Sequence, residues 1–184
     1  MKRVWSGAAV IAAIVFGLSP VTRAQSAKPA LVIPDAPVAQ DLPGAKELPD
    51  PKMIYKVVFV VGNKTPNITD RSPDLLGVAR YVNTLAAHGV PLKNRKIAVV
   101  LHLEAAEYVQ TDEAFKKRNN GYANPNVALI DEMAKAGVEF HVCGQAVLGR
   151  KIDPKNILPQ VELDLWAATT VTQLQLRGYV RAGA

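Results

Sequence analysis

The 184-residue chain predicts an α/β fold: a mainly parallel, five-stranded sheet with helices on both faces. Three observations carry that expectation. Short apolar runs rich in β-branched residues recur at 56–61 and 96–101, and a third strand reads at 138–142. Stretches of helical spacing separate them, and the chain punctuates each stretch with capping residues such as Ser72-Pro73, Gly89 and Ala136-Gly137. A continuous apolar run suits a strand buried on both faces, and strand–helix alternation implies parallel pairing through right-handed crossovers.

Taken in order, the first element is a targeting segment. Lys2 and Arg3 are followed by an apolar run from Ala8 to Leu18 and a small-residue site at Thr22-Arg23-Ala24, the three parts of a secretory signal. The run is about eleven residues, well short of the ~20 that a spanning helix needs. Residues 1–24 are therefore expected to be cleaved near Ala24, leaving a periplasmic or secreted protein without stable membrane insertion; an uncleaved signal acting as an anchor is the alternative. Loss of Lys2, Arg3 and Arg23 lowers the formal charge from +6 to +3. That mild excess, and a Lys116-Lys117-Arg118 run without interleaved aromatics, excludes a nucleic-acid binder.

Residues 25–52 carry Pro29, Pro34, Pro37, Pro43, Pro49 and Pro51 without helical or strand periodicity and read as an extended, poorly ordered leader. One domain, 53–184, follows. Its first strand, 56–61, ends at Gly62-Asn63. Ser72-Pro73-Asp74 starts a helix whose Leu75, Leu76, Ala79, Val82, Leu85 and Ala86 share a face. The second strand, 96–101, runs into His102. Between Glu104 and Gly121 the helical spacing is loose, and so long a connection after a strand's carboxyl end belongs over the ligand edge of the sheet. Asn124-Pro125-Asn126 opens a further helix, and the third strand, 138–142, runs into Cys143-Gly144. A helical turn at 146–148, a strand at 161–165, a helix at 169–176 and a short strand near Tyr179 complete the chain. Trp166, Leu174 and Leu176 read as core or subunit-contact residues.

Open α/β sheets bind ligands beyond the carboxyl ends of their strands, which is where Asn63, His102 and Cys143-Gly144-Gln145 fall. Cys143 is the single cysteine, so no disulfide can form within the chain. At a strand end, beside the backbone N–H groups of a following turn, a thiol is placed to act as a thiolate nucleophile, and Gly144 lets a partner approach. Burial as a small apolar residue explains the same position. His102 and His141, the latter two residues before Cys143 on one strand face, are candidates to move a proton or favour the thiolate. A zinc site from His102, His141 and Cys143 has suitable donors but lacks paired ligand spacing, so no metal is expected, and no motif demands a cofactor. Gly62-Asn63-Lys64-Thr65 lacks the upstream glycine of a phosphate loop, and no nucleophile elbow or paired carboxylates stand out.

The sequence Asn124-Pro125-Asn126, Leu129-Ile130, Ala136-Gly137-Val138 and Val142-Cys143-Gly144-Gln145, then Leu158-Pro159-Gln160-Val161, Leu174-Gln175 and Arg177-Gly178-Tyr179, resembles the DsrE/DsrF-like family over about residues 56–179. The resemblance implies a flavodoxin-like or Rossmann-like sandwich that assembles as a homotrimer or hexamer. It also implies a persulfide-bearing cysteine at Cys143 and a histidine at His102. Members with His-Gly after the second strand have a small residue where this chain has Leu103, which implies a narrower pocket. With one thiol, the partners expected are sulfur donor and acceptor proteins or small sulfur compounds. Two functions follow as expectations: an extracytoplasmic sulfur carrier using catalytic Cys143, His102 and His141 and binding through Asn63, Gly144 and Gln145, or a non-catalytic oligomeric binding module with Cys143 inert.

Overall fold

The computed structural model describes residues 31–183, so the expected signal segment lies outside the described residues. Strands β1 (Tyr55–Val61), β2 (Arg95–Leu101), β3 (Val138–Cys143), β4 (Val161–Asp164) and β5 (Val180–Ala182) form one sheet in the order β4-β3-β2-β1-β5. Every pairing is parallel, for example Val58 beside Ala98 and Val100 beside His141. The two edge strands are the shortest, which limits the unpaired backbone the sheet presents to other chains.

Helix α1 (Pro73–Ala87) starts where the sequence predicts: the Ser72 hydroxyl accepts from the Leu75 amide, and Pro73 fills the first helical position, where no N–H is needed. Its Leu75, Val78, Ala79, Val82 and Leu85 join Leu129, Ile130 and Met133 of α3 (Val127–Lys135) on one face of the sheet, over Val57, Phe59, Val99, Leu101, Phe140 and Val142. The alternate strand residues Val58, Ala98, Val100 and Cys143 point to the other face, where α5 (Ala167–Leu176) covers them with Ala167, Val171 and Leu174, joined by Ala146 and Tyr179. Helices therefore lie on both faces, but unequally. A ten-residue helix cannot shield the whole second face, and toward the β4 edge His141, Glu162 and Asp164 line an open pocket beside it.

Glu104 to Gly121 is built rather than loose. A 3-10 helix (Leu103–Val109) and α2 (Asp112–Arg118) bury Ala105, Ala106, Val109 and Phe115. Asn124 holds this segment by donating from its side chain to the carbonyls of Tyr108 and Gln110, and Asn126 accepts from the Ser72 amide. The Asn-Pro-Asn signature is thus a structural clamp joining three connections.

From residue 31 the leader departs from the expectation of poor order. It has no helix or strand up to residue 52, as its composition predicts, but it is fastened to α1. Ile33 is fully buried, and the side chain of Asn83 accepts from the Ile33 amide and donates to the carbonyls of Ile33, Ala36 and Pro37 at 3.0–3.2 Å. A proline-rich segment satisfies few backbone groups by itself, so a buried Asn that satisfies several fixes it. Asn83→Ala strands those groups and is expected to cost about 1–3 kcal/mol. Limited proteolysis checks this: cleavage between residues 37 and 52 should become much faster than in the wild type, and an unchanged digestion pattern would show that the leader is held otherwise.

Among the described residues no helix is long and apolar enough to cross a membrane.

Candidate site at the carboxyl edge of the sheet

Cys143 is the last residue of β3 and directly precedes the short helix α4 (Gly144–Gly149). It is 4% exposed, packed with Val58, Ala98 and Val100, yet it also lines a pocket of about 360 Å³ with His102, Leu103, Gln145, Ala146, Gly149, Arg150, Trp166 and Ala167. Both sequence-based readings of the thiol thus describe part of its environment. The pocket is at the small end for a ligand site, and its wall is largely apolar.

Close backbone approach creates the position. A Cβ on Gly144 would lie 2.6 Å from the Asp164 carbonyl oxygen and 3.2 Å from that of Leu165. What approaches Gly144 is therefore the chain leaving β4, not the ligand its sequence position suggests. Gly62 plays a similar part on the other side, since a Cβ there would lie 2.7 Å from His102 Nε2. The imidazole rests over the end of β1, while the amides of His102, Glu104 and Ala105 donate to the carbonyls of Val61 and Gly62.

Leu103 takes φ +46°, the left-handed region that costs an L side chain about 1–2 kcal/mol. A glycine would sit there unstrained, so the departure at this position is a matter of backbone as well as of pocket width. The side chain is 61% exposed and does stand in the pocket wall. Arg150 holds the strained turn: its Nε donates to the Leu103 carbonyl at 2.6 Å, and its guanidinium meets Glu107 at 3.1 Å and Glu104 at 3.5 Å. Lys64 pairs with the other oxygen of Glu107 at 3.1 Å. Two cations and two anions pair with one another at this rim, so Arg150, the charged side chain in the pocket wall, is already engaged.

Burial lowers the pKa of His102, and the Arg181 charge lowers it further. A buried histidine with a depressed pKa binds protons less readily folded than unfolded, so it withdraws stability as pH falls below the unfolded value of ~6.5 toward the folded one. Thermal midpoints are therefore expected to drop across that window in the wild type and to drop less in His102→Gln. Equal slopes for both proteins would remove His102 as the cause.

The remaining sequence candidates separate. His102, Cys143 and Gln145 share the pocket; the Gln145 side chain also donates to the Leu165 carbonyl at 3.2 Å. Asn63 is exposed beyond β1 and lines none of it. His141 points to the same sheet face as Cys143, as its spacing predicts, but lines a neighbouring pocket with Glu162, Asp164 and Thr170. Arg150 and Ala167 escaped the sequence reading, and Trp166 was read only as a contact residue, because they come from the end of α4 and the start of α5 and no motif marks them. The remaining predicted contact residues divide: Leu174 is core at 3% exposure, whereas Trp166 and Leu176 are exposed.

Comparison with known proteins adds a family and a fold. The model of the DsrE/DsrF-like family matches residues 56–180. Among solved structures, a protein of unknown function, MTH1491 from Methanobacterium thermoautotrophicum, superposes with a TM-score of 0.54 at 19% identity, covering 71% of this chain and 99% of the other. That likeness supports the α/β architecture alone. No curated protein matches the chain.

Proposed function

Because the chain belongs to the DsrE/DsrF-like family, we propose that it is a sulfur-relay protein that holds sulfane sulfur as a persulfide on Cys143. One observation carries the proposal: the chain's single thiol lines a small, mostly apolar pocket at the ligand edge of the sheet. Such a pocket suits the uncharged sulfur of an S–S bond better than a strongly hydrated oxyanion.

In the proposed reaction the Cys143 thiolate attacks the outer sulfur of a persulfide or polysulfide donor. An S–S bond forms to Sγ, the donor's inner S–S bond breaks, and its electron pair leaves on the donor thiolate. Handover reverses the roles: an acceptor thiolate takes the outer sulfur and Cys143 departs as a thiolate. No electrons enter or leave, and the absence of a second cysteine is no obstacle, because donor and acceptor supply the other thiols. His102 lines the same pocket, which supports a role for it in exchanging a proton with the bound sulfur.

The setting is proposed to be extracytoplasmic, on the strength of the first 24 residues, and the assembly oligomeric. Exposed Leu165 and Trp166 just before α5 and Leu176 at its end support an oligomer.

The 4% exposure of Cys143 favours a second reading, a binding module in which the thiol only fills space. Alkylation separates the two. The sulfur carrier predicts that a small reagent such as iodoacetamide labels Cys143 in the folded protein while a bulky maleimide does so slowly. The module predicts that both reagents label only after denaturation.

A further inference from the structure

We propose that His141, Glu162 and Asp164 form a binding site for one divalent first-row transition ion, next to the thiol pocket but separate from it. The argument is independent of the sulfur-carrier reading.

Strand register brings the three side chains together. His141 on β3 lies beside Glu162 on β4, and Asp164 follows two residues later on the same face. One donor atom from each gathers within 4.8 Å of the others; Nδ1 of His141 is 3.0 Å from an Asp164 oxygen and 3.7 Å from a Glu162 oxygen. With metal–ligand bonds of about 2.1 Å, two donors stand about 3.0 Å apart at a right angle and about 3.4 Å apart at the tetrahedral angle. The two separations from His141 bracket those values, and rotation of the exposed Glu162 side chain can bring the two carboxylates, within 4.8 Å of each other, onto one ion.

A second observation points to a ligand. The imidazole side chain is 12% exposed, and neither of its ring nitrogens reaches solvent or has a hydrogen-bond partner. A buried polar group left unpaired costs about 1–3 kcal/mol. The Asp164 oxygen at 3.0 Å is close enough to bond Nδ1 but is not aligned to do so. Short spacing without hydrogen-bond alignment is how two donors sit when both aim at a third atom between them.

The surroundings fit. Thr170 donates to the same Asp164 oxygen at 2.7 Å and so orients the carboxylate, the kind of outer support that metal ligands commonly have. The pocket of about 310 Å³ beneath α5 leaves room for water or a further ligand. Two carboxylates balance a divalent charge; Arg177 also borders the pocket, and its guanidinium is engaged by Gln173 at 3.4 Å. One imidazole and two carboxylates are donors suited to zinc and its first-row neighbours. This set differs from the combination of His102, His141 and Cys143 weighed from the sequence, since neither His102 nor Cys143 belongs to the cluster.

The test is titration of the chelator-treated full protein with zinc chloride by calorimetry, followed by cobalt substitution read by absorption. The site predicts one saturable equivalent in the wild type and in Cys143→Ala. It predicts at least tenfold weaker binding in Glu162→Gln, whose side chain is 78% exposed and so tolerates the change without unfolding. Thr170→Ala should weaken binding about tenfold. The cobalt form should lack a thiolate charge-transfer band. Absence of saturable binding, binding unaffected by Glu162→Gln, or binding lost in Cys143→Ala would overturn the proposal.

Discussion

Cys143→Ala is expected to abolish sulfur loading while leaving the protein folded. Treatment with polysulfide, removal of the excess and cold cyanolysis should release thiocyanate from the wild type in near-equal amount to the protein, and none above background from the variant. No other residue can substitute, because Cys143 is the only thiol in the sequence. Stability should change little by comparison. The sulfur packs against Val58, Ala98, Val100 and Ala167 on the thinner side of the sheet, and removing one atom there leaves a space of about a methyl group, costing about 1 kcal/mol. Thermal melting separates the two effects. A variant that melts like the wild type and still yields thiocyanate would remove Cys143 from the chemistry altogether.

Gly144→Ala should have the largest structural effect of any single-methyl change at the site. The added carbon would stand 2.6 Å from the Asp164 carbonyl oxygen, closer than real side-chain carbons approach, and the neighbour is backbone rather than the loose end of a side chain. Relief requires α4 to move away from the end of β4. Overpacking of this sort costs about 1–3 kcal/mol, or roughly 2–4 °C in melting temperature for each kcal/mol in a domain of this size. Because Cys143 is the preceding residue, its alkylation rate in the folded protein should change together with the melting temperature. Gly62→Ala gives the useful contrast. Its clash is with the His102 ring, which can swing aside, so the melting temperature should fall less. A Gly144→Ala protein as stable as the wild type would contradict the close approach described here.

Much of this was readable from the chain. Each strand appears within one or two residues of its expected place, and β1 and β2 are the plainest, because a parallel strand buried on both faces carries its signal in consecutive residues. Ser72-Pro73 marks the start of α1 for a local reason, the capping of free amides. The sheet edge that gathers Cys143, His102 and Gln145 follows from chain direction alone, since every strand runs the same way.

What stayed hidden depends on pairs of residues distant in sequence. The leader looked loose because nothing in 25–52 shows that Asn83, fifty residues on from Ile33, completes its hydrogen bonds. Arg150 reads as an ordinary surface cation until the positive φ of Leu103 turns a carbonyl toward it. The carboxylates of β4 look like alternate solvated residues, and only the register of β4 against β3 sets them beside His141. Strand–helix alternation predicts helices on both faces, as found, but does not say which crossover passes on which side, so their unequal division between the faces was not legible.

The most direct test of the account is the intact mass of the reduced wild-type protein after brief exposure to polysulfide, followed by peptide mapping and a chase with an excess of a small thiol. The account predicts a gain of one sulfur atom, located on the peptide that contains Cys143 and removed by the thiol. A protein whose mass does not change, or whose added sulfur resists the thiol, would contradict a sulfur relay and leave Cys143 as packing for the sheet.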